Sequence, residues 1–93
     1  KYIINSMKVI FTKHAEIEIQ RRRIEKRVVI KTLKNPQQKF NEDDKWVYQS
    51  KYIDILLKKE MLLRVFALED LKGLKIITAY KTSKTSKYWK VKK

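Results

Sequence analysis

Three features of the chain have the residue types for chemistry: a single histidine, an arginine inside an apolar run, and a lysine-rich ending. His14 is the only side chain whose unperturbed pKa lies near neutrality, so it is a candidate to move a proton; a histidine packed at the start of a helix is the commoner explanation of a lone one. Arg64 interrupts Met61–Leu68, where an arginine is costly unless it faces an open surface or an anion. A phosphate-directed role and a structural salt bridge both fit it. Asp70 is the last acidic residue, and the 23 positions after it carry eight lysines interleaved with Thr78, Tyr80, Ser83, Tyr88 and Trp89. Lysines supply charge for phosphates, hydroxyls supply neutral donors, and aromatic faces stack unpaired bases. Lys81, Ser83, Lys84, Lys87 and Tyr88 are therefore candidate phosphate or RNA contacts.

The balance of 24 Lys and Arg against 10 Asp and Glu gives a net charge of +14, which calls for an anionic partner. Nucleic acid is the first candidate. A spanning helix is not expected, because the best apolar run is broken by Arg64. With no cysteine, one histidine and a lone acidic turn at Glu42, Asp43 and Asp44, neither a metal nor another cofactor is expected. The lack of cysteine and of a secretory leader points to the cytoplasm.

The elements that must position these residues are readable in part. Thr12 can cap a helix running through His14 toward Arg23. Phe11, Ala15 and Ile19 form a helical stripe, although Ala15, Ile17 and Ile19 also alternate as in a strand. A second helix is expected from Glu25 to Asn35, stopped by Pro36. Gln37 to Phe40 and Trp46 to Gln49 flank the acidic turn as a hairpin, and Lys51 to Leu57 could extend its strand or form a helical turn. Lys58 to Glu60 reads as a turn. Met61–Leu68 and Leu74–Lys81 are two further strands reversed around Gly73, the only glycine. The expected fold is α+β, with two N-terminal helices packed on one face of a four-stranded antiparallel sheet and the other face free for a ligand. Ile76, Thr78 and Tyr80 are expected on one face of the last strand. A single domain is expected over 7–93, since Met7 reads like a natural start and residues 1–6 like an extension.

His14-Ala15, Arg22, Ile24, Leu33-Lys34-Asn35-Pro36, Leu63-Arg64-Val65, Thr78-Ala79-Tyr80-Lys81-Thr82-Ser83-Lys84 and Lys87-Tyr88-Trp89 together resemble an uncharacterised small-domain family similar to the RelE and ParE toxins. The resemblance runs from about Phe11 to Trp89. It implies a RelE-like, barnase-like fold and the toxin of a toxin–antitoxin pair. The activity implied is metal-independent endoribonuclease cleavage of mRNA, free or on the ribosome, with an acidic antitoxin as protein partner. In that chemistry the ribose 2′-hydroxyl attacks its own phosphate, so a base, an acid and cations are needed. The resemblance implies His14 as base or acid and Arg22 and Arg64 as phosphate stabilisers. Tyr80, Lys84 and Tyr88 would bind RNA or assist proton transfer.

The chain departs from that family at Arg23, where glycine is usual, and at Glu25, where a Ser or Thr cap is usual. ParE-type relatives share the fold without cutting RNA, so a non-catalytic nucleic-acid binder or target-blocking module is the alternative expectation.

Overall fold

The computed structural model describes residues 2–91, so Lys1, Lys92 and Lys93, which the expected extension and domain include, lie outside the described residues. Six strands form one mixed sheet in the order β1-β2-β6-β5-β4-β3. They are β1 (Tyr2–Ile4), β2 (Met7–Phe11), β3 (Gln38–Glu42), β4 (Lys45–Asp54), β5 (Lys59–Asp70) and β6 (Gly73–Thr82), with helices α1 (Lys13–Arg21), α2 (Lys26–Lys34) and the short α3 (Thr85–Tyr88). The expectation of a four-stranded antiparallel sheet under two N-terminal helices is thus corrected. Two strands precede the helices, and β2 pairs in parallel with β6.

Local chemistry explains most of these elements. The reversals at Asn5-Ser6 and Asp43-Asp44 each place two residues at positive φ, the backbone of tight two-residue hairpins that Asn and Asp tolerate. The Thr12 side chain accepts from the Ala15 N–H at 3.0 Å and caps α1. Glu25 caps α2 without a side-chain hydrogen bond, and Arg23 sits at φ 54, the left-handed region that favours glycine. The two departures from the resembled family therefore fall at a strained residue and at a poorly capped helix.

The helices cover one sheet face. Ala15 and Ile19 of α1, Ile24 of the interhelical turn, and Val29 and Leu33 of α2 share a core with Val9, Leu63, Val65, Ala67, Leu74, Ile76 and Ala79. Tyr2–Ile4, read from the sequence as an extension, forms β1, and Ile4 is buried in the same core.

Of the open segment Lys51 to Leu57, only Lys51 to Asp54 extends β4; the reversal takes 55–58, and Lys59 and Glu60, expected in the turn, belong to β5. Ile76 does not share a face with Thr78 and Tyr80. Phe66 pairs with Thr78 while Ala67 pairs with Ile76, so Ile77 is an extra residue in a bulge. The bulge shifts the alternation by one residue, sending Ile76 into the core and Thr78 and Tyr80 to the opposite face. That second face is not wholly free either, because the chain after β6 folds back over its β4 and β3 end.

Candidate functional site

On the second face, Arg64 of β5 stands directly between Gln49 of β4 and Tyr80 of β6 in the strand register. Its Nε donates to Gln49 Oε1 at 2.8 Å and its Nη1 donates to Tyr80 Oη at 2.6 Å. Its Nη2 lies 3.7 Å from Glu42 Oε1. The guanidinium lies against the Tyr88 ring, 4.5 Å from its centroid, and 5.2 Å from that of Phe66. Arg64 is only 3% exposed. Its charge is tolerated there because hydrogen bonds, an acidic neighbour and aromatic faces replace water.

This arrangement assigns a direction to the Tyr80 hydroxyl. A guanidinium has donors and no acceptor, so the phenolic oxygen accepts from Arg64 and its hydrogen stays available for a second partner. Tyr80 stacks on Phe66 at 5.8 Å and meets Tyr88 edge-on at 6.1 Å, which fixes its ring. It lines an open cleft of about 240 Å³ together with Glu42, Asp43, Lys45, Phe66 and Thr78. A phenol that can donate, a carboxylate that can accept and a cation thus face one space. Among the described residues, no group of three or more His, Cys, Asp or Glu side chains could hold a metal ion.

The other sequence-derived candidates are scattered around this centre. Tyr88 closes over Arg64, with Lys87 Nζ 5.3 Å from the centroid of its ring. Ser83 and Lys84 are exposed, and the Lys84 N–H donates to Thr82 Oγ1 at 3.0 Å. Arg22 is committed to the fold: Nη1 donates to the Ala79 carbonyl at 2.8 Å and Nη2 pairs with Glu18 at 2.7 Å. Lys81 likewise pairs with Asp54 at 2.8 Å and donates to the Arg23 carbonyl at 3.2 Å. The Lys81 hydrogen bond, helped by the Leu57 N–H, holds the Asp54 carboxyl down at about 2. His14 is exposed on α1, the helix on the opposite face, and among the described residues it hydrogen-bonds to neither Arg64 nor Tyr80.

Gln49 and Phe66 complete the centre and were not singled out from the sequence, while Thr78 was read only as a hydroxyl of the basic ending and Glu42 only as part of a turn. Gln49 had a signal, since a glutamine inside the apolar strand Trp46–Gln49 needs a polar neighbour when buried. Glu42 had none, because an acidic turn residue ordinarily faces solvent.

Residues 11–81 match the family model described as Domain of unknown function (DUF4258), so the chain belongs to that family. No curated protein and no solved structure matches it.

Proposed function

We propose that this member of the DUF4258 family acts as the toxin of a toxin–antitoxin pair, binds RNA on the sheet face around Tyr80 and cleaves it as a metal-independent endoribonuclease. The observation that carries the reading is the Arg64 to Tyr80 hydrogen bond, which leaves the phenolic hydrogen free to donate in a cleft that a carboxylate also lines. In the reaction the ribose 2′-oxygen forms a bond to phosphorus and the bond from phosphorus to the 5′-oxygen breaks. Glu42 takes the 2′-hydroxyl proton, and Tyr80 gives its proton to the departing 5′-oxygen. Arg64 offsets the negative charge left on the Tyr80 oxygen, and Lys45 lies beside the phosphate. Glu42, once protonated, returns a proton to Tyr80 through solvent. His14 has no step in this scheme.

The partner is RNA, mRNA either free or on the ribosome. The net charge of +14 also supports an acidic antitoxin as protein partner. A groove of about 460 Å³ lined by Tyr2, Lys26, Arg27, Ile30, Lys31 and Lys34 offers such a partner both charge and apolar contact. The second reading is a non-catalytic RNA binder or a ParE-type target blocker. It is favoured by the separation of His14 from Arg64 and Tyr80.

The test incubates the purified chain with RNA, with and without ribosomes, in chelator. Tyr80→Phe is expected to lower cleavage about 10²- to 10⁴-fold, the usual worth of a positioned proton donor. Glu42→Gln should fall comparably, and His14→Ala should cleave like the unmodified chain. Equal cleavage by the unmodified chain and Tyr80→Phe would refute the scheme. Binding without cleavage in either condition would establish the second reading.

A further inference from the structure

We propose that the groove between β3 and the C-terminal segment is a second subsite, one that receives unpaired bases of the RNA strand bound at Tyr80. The proposal rests on the RNA reading above. The groove has a volume of about 660 Å³, and its walls include Phe40, Trp89, Lys39, Lys90 and Val91. Among the described residues lining it there is no carboxylate.

Trp89 is held beside β3 by backbone chemistry. The Gln38 side-chain amide makes a double hydrogen bond with Lys90, donating to its carbonyl at 2.7 Å and accepting from its N–H at 3.0 Å. The Trp89 N–H donates to the Thr85 carbonyl at 2.9 Å, and Gln49 Nε2 donates to the Tyr88 carbonyl at 3.2 Å. The backbone that carries the indole is therefore held in place, and Trp89 is only half-buried.

Each aromatic ring of the groove has an ammonium beside it. Lys51 Nζ lies 4.1 Å from the centroid of Trp89 and Lys90 Nζ lies 4.9 Å from that of Phe40. A ring for the base and a cation within reach of its phosphate are what sequence-tolerant single-strand binding requires. Paired bases are stacked on their neighbours and cannot offer a face to an indole, so the ligand is unpaired. A purely apolar peptide would instead leave these ammonium groups desolvated without a counter-charge.

The groove also continues the site already described. Phe66 and Tyr80 on β5 and β6, Tyr88 above Arg64, and then Trp89 and Phe40 at β3 form an aromatic path across the sheet. From β6 to β3 it crosses three strand spacings, about 14 Å. One polynucleotide can thus occupy the Tyr80 cleft and the groove together.

The experiment uses the full chain carrying Trp46→Phe, which leaves Trp89 as its sole tryptophan. Titration with oligouridylates of increasing length should quench Trp89 emission only once the strand reaches past the Tyr80 cleft. Trp89→Ala should weaken long oligouridylates about tenfold, or ~1.4 kcal/mol, while leaving the shortest binding oligomer unaffected. Trp89→Phe, which keeps a stacking face, should retain most of the affinity. Long oligomers that bind while Trp89 emission stays constant, or an equal loss on short and long oligomers, would overturn the groove alone. If no oligouridylate binds at all, both the groove and the RNA reading fall.

Discussion

Replacing Asp54 with asparagine tests the ion pair that ties the β4–β5 hairpin to β6, and its effect should depend on pH. The carboxylate is 6% exposed and accepts from Lys81 at 2.8 Å, from Tyr52 Oη at 3.1 Å and from the Leu57 N–H at 2.9 Å. The Lys81 bond is the largest cause of the fall of its pKa from 3.8 to about 2. Since one pKa unit is worth about 1.4 kcal/mol, the shift corresponds to at most about 2.5 kcal/mol. Screening at the hairpin end leaves about 1 to 2 kcal/mol. The folded-state pKa lies below the unfolded one, so this stability is fully present above about pH 4 and is lost as pH falls through about 2. Near neutrality Asp54→Asn should cost about 3 kcal/mol, because the half-buried Lys81 keeps only the Arg23 carbonyl. Urea unfolding of both proteins across this range should show the gap between them narrowing by about 1 to 2 kcal/mol toward about pH 2. Groups common to both chains cancel in that difference. A gap that stayed constant from neutrality to acid would refute the assignment of the ion pair to Asp54.

Two further substitutions test the backbone. Arg23→Gly should raise stability by about 0.5 to 1 kcal/mol, because relief of the left-handed strain outweighs the added freedom of the unfolded chain. A lower melting temperature for that variant would contradict the positive φ. Gly73→Ala should destabilise by about 3 kcal/mol or more, since a Cβ there would lie 2.3 Å from the Lys8 carbonyl oxygen of β2 and the backbone sits at φ 145. An unchanged urea midpoint would argue against the parallel pairing of β2 with β6.

The helices were legible because their signals are local: Thr12 as cap, the Ala15 and Ile19 stripe, and Pro36 as stop. The hairpin around Asp43-Asp44 was legible for the same reason. β1 and β2 were not, because strands of three and five residues carry little periodicity, and β2 finds its partner in β6 at the far end of the chain. The extra residue Ile77 was equally invisible. Nothing in Ile76-Ile77-Thr78 marks a bulge, yet it alone decides that Tyr80 shares a face with Arg64 rather than with Ile76. Sequence reasoning named Arg64 and Tyr80 separately; register, a property of two strands at once, joins them.

That pairing changes what Arg64 can do. At 3% exposure it cannot wrap a phosphate, so its influence on a bound anion must pass through the Tyr80 hydroxyl that it orients. The same guanidinium requires Gln49 Oε1 as acceptor, which turns Gln49 Nε2 toward Gln38 and the Tyr88 carbonyl. Gln38 in turn holds the Lys90 backbone. One buried arginine therefore sets both the proton of Tyr80 and, through two glutamines, the position of Trp89. Lysine at position 64 would carry the charge but has no planar fork to serve Gln49 and Tyr80 at once. Among the described residues, Lys45 lines the Tyr80 cleft and Lys87 lies beside the Tyr88 ring, so both put positive charge at that face. The geometry of the face comes from a residue that never reaches solvent.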